Sequence, residues 1–227
     1  MKISLLLALV LLLLQNAVVA QKSKSRNVHA KAVATDSAKL NTDFFIVDRD
    51  SAFSDPRIAI RKLHAGNKRF VGNKLIRPRQ DTETIKRLGL GQKHFATIVG
   101  CSDSRVPNEM VFDQGVGAQF IIRTDGQVSS AASYGSIEYA VLKLYTSLIV
   151  ILGHTECGAV AAAVERPQDV PGHIVTLSNE IKPAVAKSSH LPGDPVYNAI
   201  RQNVIDQVIS LRDLDLILHK NIGQAIS

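Results

Sequence analysis

Five consecutive aliphatic residues, Leu148-Ile149-Val150-Ile151-Leu152, constrain the fold of this chain more than any other feature. A continuous rather than alternating apolar run of strand length describes a strand covered on both faces, as in a parallel sheet between helices. Phe95 to Val99 and Ala118 to Ile122 are two more short runs rich in β-formers and bounded by glycine or charge, and they read as strands as well. Around them the pattern turns helical. Asp55 can cap and Pro56 suits the first turn of a helix over 55–71, with Ile60, Leu63 and Phe70 on one face. Thr82 to Leu88 forms a short helix, and 129–145 carries Ile137, Ala140, Val141 and Leu144 at helical spacing. Gly158 opens a segment whose small apolar residues, Ala159 to Val164, signal a helix only in part. Ile174, Leu177, Ile181 and Val185 predict a helix that Pro183 should kink or shorten. Asp194-Pro195 opens a last long helix with Ile200, Val204, Val208 and Leu211 along its buried stripe. Strands alternating with helices predict an α/β fold: a single domain with a mainly parallel β-sheet flanked by helices and right-handed crossovers.

The N-terminus is expected to lie outside that fold. Lys2 precedes an apolar run from Ile3 to Leu14, and Val18-Val19-Ala20 supplies small residues before a cleavage point, the pattern of a signal peptide over residues 1–20. The run is too short to span a bilayer comfortably, so the expectation is an exported chain, periplasmic or extracellular, with no stable membrane anchor after cleavage. Residues 21–54 form a polar arm, expected to be mobile, that holds Lys22, Lys24, Arg26 and Lys31 and so part of the formal charge of +7. Aromatic residues are not interleaved with these bases and no nucleic-acid motif is present, which argues against a nucleic-acid partner.

Only two cysteines occur in the chain. In an oxidising compartment two cysteines first suggest a disulfide. Their surroundings suggest otherwise. Cys101 follows the first strand in Gly100-Cys101-Ser102-Asp103-Ser104-Arg105, and Cys157 lies three residues after His154 in Gly153-His154-Thr155-Glu156-Cys157-Gly158, beyond the third strand. The carboxyl ends of parallel strands share one edge, where ligand crevices form. Two thiolates, an imidazole and a carboxylate suit tetrahedral Zn²⁺, and a metal would protect both thiols from oxidation. Three protein ligands leave a fourth position for water, the catalytic rather than the structural arrangement. Asp103, held by Arg105, would leave that position open; once released, it could become a fourth ligand and close the site.

At these residues the chain resembles the β-class carbonic anhydrases. The similarity runs from about Ile58 to about Asp215, through Leu-His-Ala-Gly-Asn-Lys-Arg-Phe (63–70), Gly-Cys-Ser-Asp-Ser-Arg-Val-Pro (100–107), Ser-Ile-Glu-Tyr-Ala-Val (136–141) and Gly-His-Thr-Glu-Cys-Gly-Ala-Val (153–160). The resemblance implies zinc on Cys101, His154 and Cys157, with Asp103 as alternate ligand or water partner and Arg105 as its gate. It further implies reversible hydration of carbon dioxide to bicarbonate and a proton, in a homodimer or higher homo-oligomer. Alternatives on the same site are a hydrolase of carbonyl sulfide or carbon disulfide and a zinc-binding scaffold closed by Asp103. The chain departs from the resembling group in two places. Arg123-Thr124-Asp125-Gly126-Gln127 stands where Arg-x-Ala-Gly-Asn is usual. The chain also ends at Ser227, about where the group begins a last edge strand, so the expectation is a catalytic domain over 55–227 that is C-terminally short and lacks that strand.

Overall fold

In a computed structural model that describes residues 55–165 and 172–213, three strands, β1 (Ala96–Cys101), β2 (Gln119–Thr124) and β3 (Ile149–Leu152), form one sheet in the order β2-β1-β3. The proposed signal peptide, the arm to residue 54 and everything after Asp213 lie outside the described residues, and with them the question of a last edge strand. Both pairings are parallel, as the alternation of strands and helices requires, and the register sets Cys101 beside Thr124 and Gly100 beside Leu152.

Seven helices occur among the described residues: α1 (Pro56–Val71), α2 (Thr82–Leu88), α3 (Asn108–Val111), α4 (Ala131–Leu142), α5 (Gly158–Glu165), α6 (Ile174–Ser188) and α7 (Pro195–Asp213). A 3₁₀ turn, Asp125–Gln127, follows β2. Successive strand side chains point to opposite faces, and each face finds its own cover. Ile98 packs with Ala59 and Leu63 of α1, joined by Ile121, Val150 and Leu152. Val99, one residue on, packs with Ile137 of α4 and Leu211 of α7, joined by Ile122, Ile149 and Ile151. The result is helix on both sides of the sheet.

Several expectations shift in detail. The strand buried along its whole length is β1, the central one; β3, whose unbroken apolar run suggested full cover, is half-buried because it has only one neighbour among the described strands. In α1 the buried face is Ala59, Leu63 and Gly66, while Ile60 and Phe70 are exposed. A Cβ on Gly66 would meet the Phe112 carbonyl oxygen at 1.7 Å, so the missing side chain is what lets α1 lie against the end of α3. Pro183 does not shorten α6, which continues to Ser188 with Ser178, Ile181, Ala184 and Ser188 buried on one face. Packing along that face outweighs the one backbone hydrogen bond that proline removes. On α7 the buried stripe is Ala199, Ile200, Asn203, Gln207 and Leu211, and Val208 faces outward. No helix among the described residues is long and apolar enough to cross a membrane.

Candidate metal centre

Parallel pairing brings the carboxyl ends of β1 and β3 to the same edge, and both cysteines arrive there. Cys101 is the last residue of β1; Cys157 directly precedes α5. Both thiols are buried and unpaired. Their sulfurs lie 3.9 Å apart, and the donor atoms of Cys101, His154 and Cys157 all lie within 4.8 Å of one another.

This donor set fits a tetrahedral cation. Two sulfurs bound at about 2.3 Å with a tetrahedral angle between them stand about 3.8 Å apart. The imidazole is oriented as well. His154 Nδ1 is 2.9 Å from the Thr155 carbonyl, which can only accept, so Nδ1 carries the proton and Nε2 offers its lone pair. That Nε2 is buried with no hydrogen-bond partner, the condition of an atom built to bind something other than protein.

Backbone amides complete the setting of the first sulfur. The N–H groups of Asp103 and Gly126 each point at Cys101 Sγ from 3.4 Å. Together with a hydrogen bond from the Cys157 thiol, the largest influence, they hold Cys101 well below the ordinary thiol range although burial opposes them. The same pairing, reinforced by burial, drives the Cys157 thiol upward. The pairing thus pushes the two thiols in opposite directions, and a cation bound by both would compete with their protons.

Asp103 and Arg105 meet in a bidentate ion pair. Arg105 Nε donates to Asp103 Oδ1 at 2.9 Å and Nη2 to Oδ2 at 2.7 Å, while the Arg105 N–H adds a third bond at 2.9 Å. The guanidinium holds the Asp103 carboxyl far below the usual carboxylate range. Asp103 Oδ2 is 3.9 Å from His154 Nε2, beside the three donors but turned toward Arg105. Arg105 Nη2 also donates to the Glu156 carbonyl at 3.0 Å, tying the loop after β1 to the loop after β3. Glu156 adopts a left-handed conformation, φ +56°, to present that carbonyl.

Three supports escaped the sequence reading. Arg123 of β2 donates to the carbonyls of Cys101 at 2.9 Å and Asp103 at 2.7 Å, clamping the turn between them. Gly126, at φ +65°, supplies its N–H to Cys101, and its carbonyl accepts from Asn203 Nδ2 of α7 at 2.9 Å. Arg123 and Gly126 lie in a stretch already marked as unusual. Asn203 had no signal at all, because a polar residue on a helix reads as solvent-facing until the neighbouring turn is known. A cavity of about 370 Å³ adjoins the cluster, with Cys101 and Asp103 on its wall beside Ala159, Ala162 and Leu177.

Comparison with known proteins agrees with this geometry. A family model described as carbonic anhydrase matches residues 96–225. Carbonic anhydrase 2 of Mycobacterium tuberculosis is 44% identical over 135 residues, 58% of this chain and 65% of that protein. The carbonic anhydrase of Mycolicibacterium smegmatis is 41% identical over 135 residues, covering 58% of this chain and 66% of its own length. The chain thus spans just under two thirds of these relatives. Among solved structures, one of the tetrameric β-carbonic anhydrases of Sordaria macrospora superposes with a TM-score of 0.59 at 23% identity, over 73% of this chain and 86% of the other. The Coccomyxa β-carbonic anhydrase in complex with acetazolamide gives 0.59 at 21% identity, over 71% and 75%. These likenesses carry the fold, and the family match, covering more than half of the chain across both cysteine loops, carries the kinship: this chain belongs to the β-carbonic anhydrase family.

Proposed function

We propose that this protein is a zinc-dependent carbonic anhydrase that interconverts carbon dioxide and bicarbonate. The observation that carries the reading is the triangle of Cys101, His154 and Cys157, its sulfurs 3.9 Å apart, beside a carboxylate that arginine holds out of the ligand cluster. Bound there, zinc would supply Lewis acidity that brings the pKa of water from about 15.7 toward about 7.

The chain's own groups do the rest. Asp103 Oδ2, near His154 Nε2, is placed to accept a hydrogen bond from water and so orient its lone pair toward substrate. Arg105 keeps Asp103 an acceptor rather than a ligand, which speaks against the closed scaffold. Ala159, Ala162 and Leu177 present an apolar wall suited to a small uncharged gas. The carbonic anhydrase names of the mycobacterial relatives support this substrate over carbonyl sulfide or carbon disulfide. Homo-oligomeric assembly belongs to the same reading, supported by the tetrameric description of the Sordaria proteins. Export rests on Lys2 and the apolar run behind it, and sequencing the N-terminus of the mature chain tests it.

The deciding experiment pairs zinc analysis with stopped-flow hydration of carbon dioxide across pH. The reading requires about one zinc per chain and turnover that chelation abolishes; zinc-replete protein that hydrates no carbon dioxide at any pH overturns it.

A further inference from the structure

The cavity beside the metal cluster carries a second carboxylate. Asp125 opens the 3₁₀ turn after β2, lines the cavity with Cys101 and Asp103, and directly precedes the Gly126 whose N–H meets Cys101 Sγ. The two acids differ in kind. Asp103 is neutralised by Arg105. The Asp125 carboxylate has no hydrogen-bond or ion-pair partner among the described residues, and no Lys, Arg or His is among the described residues that line this cavity. Where the resembling group usually carries a small apolar alanine, this chain places a carboxylate with no positive partner among the described residues.

Such a charge separates ligands by type. Carbon dioxide has neither charge nor dipole and is indifferent to it, whereas bicarbonate and small anions that seek the metal must approach against it. On the reading that the cluster binds zinc, we propose that Asp125 is a specificity-determining residue that repels anions, weakening the hold of product bicarbonate and of inhibitory anions without acting on the neutral substrate. Asp125 is exposed, so solvent screens its field, and repulsion across a hydrated pocket corresponds to about a fivefold change in affinity rather than several decades. The overall equilibrium is fixed, so kcat/KM must move together in the two directions. The signature in turnover is therefore a lower KM for bicarbonate in a variant without the charge, accompanied by a lower dehydration kcat.

Calorimetric titration of the zinc-loaded protein with azide tests the proposal without turnover. Asp125→Asn keeps the shape and removes the charge, and Asp125→Ala removes both. Both variants are expected to bind azide about fivefold more tightly at low ionic strength, with the gain shrinking as salt of a non-coordinating anion is added. Unchanged affinity in Asp125→Asn, including no azide binding in any form, overturns the proposal. So does a gain confined to Asp125→Ala, which would mean size rather than charge, or a gain indifferent to salt. A protein that binds azide with the Asp125 effect intact yet hydrates no carbon dioxide refutes the proposed activity alone.

Discussion

Cys101 receives two backbone N–H groups and the partner thiol, whereas Asp103 gives its oxygens to Arg105, and this division of labour separates the two residues experimentally. Cys157→Ala removes one of three donors and should lose most of the zinc. Asp103→Ala should keep far more metal while cutting hydration by about a hundredfold, the scale of a lost hydrogen-bonding acid–base group; metal analysis beside turnover checks both, and equal zinc loss would make Asp103 a structural ligand. Asn203 acts one step further out. Asn203→Leu leaves the Gly126 carbonyl without its partner, at a cost of about 1–3 kcal/mol in denaturant unfolding. It should also shift the d–d spectrum of the cobalt-substituted protein, because the turn that bonds Cys101 loosens. His94 shows a different linkage. It is 2% exposed, bonded through Nε2 to Thr146 Oγ1 and set against Phe120, and burial lowers its pKa from 6.5 to about 4. The unfolded chain therefore binds more protons between those values, so stability rises with pH across that window and is lost as pH falls through it. The full effect is on the order of 3 kcal/mol, and wild type should show a steeper pH slope of unfolding free energy than His94→Gln; parallel slopes would refute the assignment.

At the scale of elements, close approaches decide what patterns leave open. Gly66→Ala would drive a methyl into the Phe112 carbonyl, since even the ideal Cβ lies 1.7 Å away. The expected cost is about 2–3 kcal/mol, read from the denaturant midpoint, with α1 displaced from the sheet. Helix α2 falls on the expected Thr82–Leu88, because Asp81 caps it, its side chain accepting the Thr84 N–H at 2.8 Å, and Gly89 ends it. Long amphipathic stretches were equally legible. Helix α3 and the 3₁₀ turn were not: pieces of four and three residues hold about one helical turn, too little for a periodicity to show. Spacing put Ile60, Leu63 and Phe70 on one face, yet the buried face of α1 is Ala59, Leu63 and Gly66, and Ile60 and Phe70 are exposed. Spacing says that residues share a side of a helix; it does not say which side faces the sheet.

For the whole molecule, a ligand or partner that binds only the native state adds to its stability. If zinc binds the folded chain alone, chelation should lower the melting temperature and added zinc restore it, by mass action on the native state. Light scattering should report a dimer or larger, and a strict monomer at assay concentration would remove assembly from the proposed function. Tyr139, Leu142 and Tyr145, together exposed around the end of α4, offer apolar surface for it. By itself the sequence determined an α/β chain with parallel strands and two cysteine loops on one sheet edge, because a covered strand must be apolar throughout and parallel strands all end on the same side. Only the tertiary structure decided that the sulfurs stand 3.9 Å apart and unjoined, that Asn203 reaches Gly126 across 77 residues, and that Asp125 faces the cavity with no counter-charge among the described residues. Local patterns record what each segment prefers, whereas distances between segments far apart in the chain exist only once the packing of all of them is set.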